Sequence, residues 1–366
     1  MDSLTERERQ ILSWIEENPA VTQSELAGRA GISRSSVAVH VSSLMRKGAI
    51  LGRRYVVRKA PYVTVVGGAN LDIGGRPFQE LRQRDSNPGS VTTSPGGAGR
   101  NIAHNLALLG QDVRLVSAFG TDERAALLTG ACRSAGIDIS SSLTVSGGTT
   151  STYLFVADRR GDMSVAVADM RIFDELTPAF LERHLDALDH ADVCVIDANL
   201  PVASIRYLSE HVRAPLFCDP VSTAKAEKFG GVLGRLHTLK PNRLEAEVLT
   251  GVHISDRASL DRAVDKLLGT GLERVFVSLG SEGVLCADHT HRTLLPPLET
   301  RVANTTGAGD AMMAAITWSW LCGHSLEEGG RAGIAAAAIC VESPDTISAS
   351  MSEDALLARM ETCTTE

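Results

Sequence analysis

No stretch of this 366-residue chain reaches about 18 uncharged apolar residues, the length needed to cross a bilayer. Its opening residues, MDSLTERERQ, are charged where a secretory leader needs an apolar core, so a cytoplasmic location is expected. The seven cysteines (132, 194, 218, 286, 322, 340 and 363) are odd in number and nowhere form CxxC. Zinc sites and disulfide frameworks need closer, paired spacings, and reduced core thiols are expected instead. Three nucleotide motifs are missing too. There is no GxxxxGKS/T phosphate loop and no HRD–DFG set. The stretch Gly97-Ala98-Gly99-Arg100-Asn101-Ile102 breaks GxGxxG at its last position, so no dinucleotide site is read there.

What is present is ordinary globular composition, 43% hydrophobic and 22% charged, at a length that allows about two domains. Charge is divided unevenly. Residues 1–60 hold ten Lys/Arg against six Asp/Glu, whereas the remaining 306 hold 26 against 38. A short basic module, residues 1–58, precedes a long acidic one, residues 61–366. Such asymmetry suggests two tasks.

In the first module, Thr5 with Glu8 and Thr22 with Glu25 have capping-box spacing, which predicts helix starts. Ile11, Trp14 and Ile15 fall on one helical face of a segment spanning 4–17, stopped at Asn18-Pro19. Gly31 closes the second helix. Ser33 caps a third, with apolar stripe Val37, Val41 and Leu44. A hairpin around Gly52 follows, with arginines at its tip. This order resembles a winged helix-turn-helix. The resemblance implies DNA contacts from Arg34, Ser35, Ser36, His40 and Ser43 on the third helix, and from Arg53 and Arg54 on the wing. A protein-docking domain is the alternative. The modest positive charge makes a homodimer the expected DNA-binding form.

From Pro61 onward, apolar runs at 62–66, 113–116, 193–196, 216–218 and 275–279 alternate with helical stretches. That pattern predicts an α/β domain with a mostly parallel sheet flanked by helices. Segments near 73–95 and 143–168, rich in Thr, Ser and Gly, predict a small inserted β lid.

Thr305-Thr306-Gly307-Ala308-Gly309-Asp310 leads straight into the helical run Ala311-Met-Met-Ala-Ala-Ile-Thr-Trp. Small residues place bare N–H groups at a helix start, an anion site by geometry and dipole. Asp310 there can act as general base on a hydroxyl while the amides of Ala308, Gly309 and Asp310 stabilise a transferring phosphoryl group. Alone, Asp310 reads equally well as a helix cap. Further motifs accompany it: Gly68-Ala-Asn70-Leu-Asp72, Pro95-Gly-Gly97-Ala-Gly99-Arg-Asn101 opening a helix at 101–110, Asp219-Pro220, Lys240-Pro-Asn242-Arg-Leu-Glu245, and Ser278-Leu-Gly280-Ser-Glu-Gly283.

In this order, over about residues 61–355, the motifs resemble the ribokinase-like (PfkB) family of sugar and nucleoside kinases. The resemblance implies ATP-dependent phosphorylation of a hydroxymethyl group. It implies Asp310 as base and Gly307, Ala308 and Gly309 as anion hole. Asn70, Asp72, Gly97 and Asn101 would hold the sugar, and a carboxylate such as Asp72 suits a vicinal diol. Asn242 and Glu245 would organise Mg2+ through water, while Asn242, Ser278, Gly280, Gly283 and Thr306 would line the nucleotide. One departure is Asn304, where the family often has an Asp that helps ligate potassium; K+ activation is therefore in doubt.

Within the family, Asp85–Gly89, Ser94–Gly110, Asp219–Ser222 with Lys225, and Leu236–Glu247 resemble bacterial pseudouridine kinases. The implied reaction is transfer from ATP to the 5′-hydroxyl of pseudouridine. Ser86 and Asn87 are candidates for the base edge, since an amide offers donor and acceptor to an imide; Pro88-Gly89 also fits a plain turn. The alternatives are another nucleoside or ribose-like sugar as substrate, or a transcription regulator with a kinase-like sensor. Dimerisation through an exposed lid face is a further expectation.

Overall fold

The structure, a computed structural model, describes residues 4–19, 21–50, 61–158 and 163–363. It divides into two units, Met1–Pro61 and Tyr62–Glu366.

The first unit holds α1 (Glu6–Glu17), α2 (Gln23–Ala30) and α3 (Arg34–Arg46). Both capping boxes form: Thr5 and Thr22 accept the backbone N–H of Glu8 and Glu25, whose carboxylates accept in return. Gly31 closes α2 at φ +63°, a left-handed conformation that costs glycine little. Ile11, Ile15, Leu26, Val37 and Leu44 form the core. Glu8 is buried there and meets Lys47 at 2.8 Å. The hairpin tip with Arg53 and Arg54 lies outside the described residues.

The second unit is built on an eight-stranded sheet. Its spatial order is β14 (Arg292–Leu295), β13 (Val284–Asp288), β12 (Arg274–Ser278), β11 (Thr238–Leu239), β10 (Leu216–Asp219), β9 (Val193–Asp197), β1 (Val63–Val66) and β4 (Val113–Val116). Neighbours pair in parallel except at β12–β13 and β13–β14. Side chains alternate between two apolar layers. Val193 and Val195 pack with Ile102 and Met312, while Cys194 and Ile196 pack with Leu208 and Phe229. Because both faces are covered, these strands read as continuous apolar runs.

A second sheet has the order β3 (Gly89–Gly96), β2 (Asn70–Pro77), β7 (Thr152–Ala157) and β8 (Met163–Asp169). The expected lid thus starts earlier, at Asn70, and its second half starts later. Residues 143–144, assigned to the lid from sequence, instead form β6 (Leu143–Thr144), paired in parallel with β5 (Ala118–Phe119). The helix expected at 101–110 is α4 (Ala98–Leu108). It begins three residues early because Gly97, at φ +95°, makes the turn into it. A helix over Ala308–Leu321 is buried from Ala311 to Ser319, as befits a segment apolar all round.

All seven cysteines are free thiols, five of them buried. Among the described residues, no helix is long and apolar enough to cross a membrane.

Candidate active site

In open parallel sheets the carboxyl ends of the strands form a crevice, deepest where successive connections run in opposite directions. Here that point is β1, flanked by β4 on one side and β9 on the other. The polar residues gather at these strand ends: Gly67-Gly68 after β1, Asp197 ending β9, Asp219 ending β10, Lys240 after β11 and Ser278 ending β12.

Asp197 ties together the loops after β1 and before α4. Its carboxylate is fully buried and accepts from the N–H groups of Gly68 and Gly99 at 2.8 Å, and from the Asn199 backbone and side chain. A Cβ on Gly67 would stand 2.5 Å from this carboxylate, and one on Gly97 would stand 2.5 Å from the Gly68 carbonyl. The glycines thus let two loops close onto one acid. Those loops present Asn70, Asp72 and Asn101. Asn70 donates through Nδ2 to Asp72 Oδ1. Burial pushes the Asp72 carboxyl up to about 6, against the Asn70 hydrogen bond and the Arg100 charge.

Asp310 stands opposite, in the first turn of the 308–321 helix. Gly307, not Asp310, is the cap residue, at φ +87°. A Cβ on Gly307 would lie 2.4 Å from the Thr346 carbonyl. Asp310 Oδ2 accepts from Asn101 Nδ2 at 2.7 Å, joining residues 209 apart in sequence. Burial first, then the Asp219 charge, pushes the Asp310 carboxyl up to about 7. An aspartate poised near neutrality is suited to take a proton from a hydroxyl.

Next to this helix start lies Lys240, whose Nζ is 3.3 Å from where a Gly309 Cβ would be. Lys240 is buried and pairs with Asp219 at 3.1 Å. Burial works against its ammonium, but the charges of Asp219 and Glu245 outweigh that and raise its pKa. Asn242 and Glu245 form a reciprocal capping box, with Glu245 Oε2 on the Asn242 N–H at 2.8 Å. Among the described residues the other Glu245 oxygen accepts no hydrogen bond. Burial and the Asp219 charge raise its pKa. A desolvated carboxylate with an oxygen to spare fits a hard divalent cation. A short β-bridge joins Asn242 to Ser278, and the turn through Gly280 (φ +62°) and Gly283 (φ +94°) follows. Thr306 lies exposed just before the helix start, its N–H on Asn304 Oδ1 at 3.0 Å.

With this geometry in view, the pfkB family carbohydrate kinase pattern matches residues 60–354. The chain belongs to that family. A winged helix-turn-helix DNA-binding pattern matches residues 4–50 of this pfkB kinase. It is 39% identical to the uncharacterized sugar kinase YeiI of Escherichia coli K12, over 92% of this chain and 93% of that one. It is also 39% identical to the pseudouridine kinase of the same organism, over 75% of this chain and 88% of the relative. A carbohydrate kinase from Agrobacterium tumefaciens superimposes with a TM-score of 0.73 at 32% identity, covering 82% of this chain and 97% of its own. Arabidopsis thaliana ribokinase, solved with ribose and ATP, shares the fold: TM-score 0.74 at 23% identity, over 82% and 99% of the two chains. The protein is thus a ribokinase-like phosphotransferase whose acceptor is a sugar or nucleoside alcohol.

Some of the residues singled out from sequence sit differently. Asn87 holds its own turn, accepting from the Arg82 N–H and donating to the carbonyls of Arg82 and Asp85. That leaves its amide little to offer a base edge. On α3, Ser36 bonds Ser33, His40 is half-buried and Ser43 bonds Glu8. The outward face is instead Ser35, Val39 (67% exposed), Ser42 and Arg46, with Arg34 at the start.

Sequence reasoning passed over Asp197, Lys240, Arg100 and a pair of lid aromatics. Tyr153 and Phe155 stand in register with Asp72 and Gly74, on the same lid face, with ring centroids 5.9 Å apart. A Cβ on Gly74 would be 2.6 Å from Phe155 Cζ, so the ring lies across bare backbone. The alternation of the lid strands with Asp72 was the signal that could have found them.

Proposed function

We propose that this kinase transfers the γ-phosphoryl group of ATP to the 5′-hydroxyl of pseudouridine. The observation that carries the reading is Asp310, held near neutrality at the helix start and bonded to Asn101, across the crevice from Asp72. Asp72 and Asn70 take the ribose diol, Asp310 takes the 5′-hydroxyl proton, and the N–H groups of Gly309 and Asp310 face the transferring group. Tyr153 and Phe155 offer a flat apolar surface for the base, a role better suited to them than to Asn87. Asn242 and Glu245 would hold Mg2+ through water, and the ion would supply charge neutralisation at the phosphates. Lys240 adds a fixed positive charge beside the anion hole. No step in this reading uses potassium; Asn304 Oδ1 accepts from the Thr306 N–H at 3.0 Å, and its amide donates to the Pro344 carbonyl at 3.1 Å.

Identity to the E. coli pseudouridine kinase supports the substrate; equal identity to YeiI favours keeping a second reading, another nucleoside or ribose-like sugar. The test is ADP release with ATP and magnesium on pseudouridine, uridine, inosine and ribose, with Asp310→Asn as control. Preference for pseudouridine, lost in the variant, supports the proposal. Turnover of another acceptor moves the assignment to that acceptor. No turnover on any, with pseudouridine still raising the melting temperature, favours a ligand-sensing regulator.

The N-terminal unit adds DNA binding to this proposal. Its α3 has no acidic residue and displays Arg34 and Arg46. A homodimer is part of the same reading. Ile73, Leu154, Val156, Val165 and Val167 share the lid face opposite Asp72, an apolar patch that a second copy would cover.

A further inference from the structure

Arg100 belongs to no part of the mechanism above, yet its guanidinium is buried in the substrate crevice. Among the described residues it forms no ion pair. Its hydrogen-bond partners are all neutral: Nε donates to the Gly96 carbonyl at 3.1 Å, Nη1 meets His104 Nδ1 at 3.2 Å, and Nη2 donates to Asn101 Oδ1. Burying a cation without a bonded carboxylate is expensive, so such a group persists where its charge or geometry is used. His104 is suited to accept, since burial and the Arg100 charge hold its pKa down to about 4 and keep the ring neutral.

The contact with Asn101 has a directional consequence. A primary amide has one acceptor end and one donor end. With Oδ1 turned to Arg100, the Nδ2 donor must face Asp310, which is where it is found, 2.7 Å from Oδ2. Were the amide reversed, its carbonyl would face a carboxylate, an arrangement that repels the ionised base. It follows that Asn101 keeps one lone pair of Oδ1 and its second amide hydrogen for a sugar hydroxyl, with both ends held in a fixed direction.

We propose that Arg100 is a positioning residue that fixes the orientation of Asn101 and, through it, holds Asp310 ionised and aimed at the acceptor hydroxyl. This rests on the assignment of Asp310 as base. The groups that act on Asp310 are Asn101 and Arg100 from α4, Asp197 and Asp219 from the strand ends, Lys240 and Cys340. Only Arg100 and Lys240 among them carry positive charge. Loss of Arg100 removes one of these cations and frees Asn101 to turn, and both changes favour the protonated base.

The test is the Asp310 carboxyl itself, followed by 13C NMR of the full chain labelled at aspartate, with the signal assigned by its loss in Asp310→Asn. This readout needs no substrate. Arg100→Gln should move the Asp310 midpoint upward by about one pH unit, and Asn101→Ala should do the same. The double variant should fall short of the sum of the two single shifts, because part of the Arg100 effect passes through Asn101. Arg100→Lys, which keeps a charge but lacks the planar fork, should give an intermediate shift and serves if Arg100→Gln unfolds. An unmoved Asp310 midpoint in the Arg100 variants, or fully additive shifts, would overturn the role of Arg100 while leaving Asp310 as base. If turnover survives in Asp310→Asn, the base assignment falls, and the proposal with it.

Discussion

Two valine-rich strands of this kinase meet opposite fates. β9, Val193-Cys-Val-Ile-Asp197, is buried at every position, with a helical layer over each face. β8, Met163-Ser-Val-Ala-Val-Ala-Asp169, is exposed at most positions, with Val165 at 57% and Val167 at 62%. Intrinsic strand preference is similar for the two. What separates them is company: β9 is central in the large sheet, whereas β8 is the edge of a four-stranded sheet with nothing described on its outer face. The contrast divides the labour of the site. The large sheet fixes acids to within hydrogen-bond precision, and in the proposed reading the lid would be the wall that excludes water during transfer.

The comparison is broken most directly at the base. Asp310→Asn should lower kcat by about 10²–10⁴-fold, read as ADP release. It should also change stability in a defined direction. The carboxyl titrates near 7 when folded against a reference value of 3.8. The folded chain therefore holds more proton between those values, and stability falls as pH rises through that window. Melting curves between pH 4 and 8 should show this fall in the parent protein and a shallower one in Asp310→Asn.

Next in size is Asp197→Ala on the rigid side. It orphans buried donors from Gly68, Gly99 and Asn199 at about 1–3 kcal/mol each, and chemical denaturation should register the sum as a marked loss. On the lid side the equivalent change should leave stability alone. Phe155→Ala should raise KM for a nucleoside by about 5- to 100-fold, the worth of one base–aromatic stack, with less effect on ribose. An equal effect on both would mean that the ring only packs the lid. Smallest for the monomer is Val165→Lys with Val167→Lys, expected to move its stability by under about 0.5 kcal/mol. Sedimentation should nevertheless show self-association weakened, if a second copy covers that face.

Much of this site was legible in the sequence because its glycine motifs act locally. Gly307, Gly97 and Gly283 each sit at positive φ with another chain segment pressed against them, so the glycine pattern reports a real constraint. The Asn242–Glu245 pair was legible twice over, as a helix cap and as a cation-facing carboxylate, and the structure contains the cap. Asp197, Lys240 and Arg100 were assigned no role because their burial beside Gly68, Asp219 and Asp310, all outside their own motifs, is not written in the adjacent residues. Asp197 and Lys240 did have a signal, a polar residue closing an apolar run. Arg100 had none, being one residue inside a motif read for its glycines and its asparagine. Asn87 went the other way: its amide chemistry suited a base edge, but its own turn claims it.

The sequence by itself determined most helix starts, the apolar strands and the glycine turns. These depend on neighbours within a few residues, where capping, periodicity and backbone freedom operate. Only the tertiary structure decided that Asp310 is held near neutrality, that Asn101 points its donor at it, and that Arg100 lies buried behind both. Burial and charge act through space, and the bond between Asn101 and Asp310 spans 209 residues of chain. No local pattern carries the field that such distant segments create when they pack together.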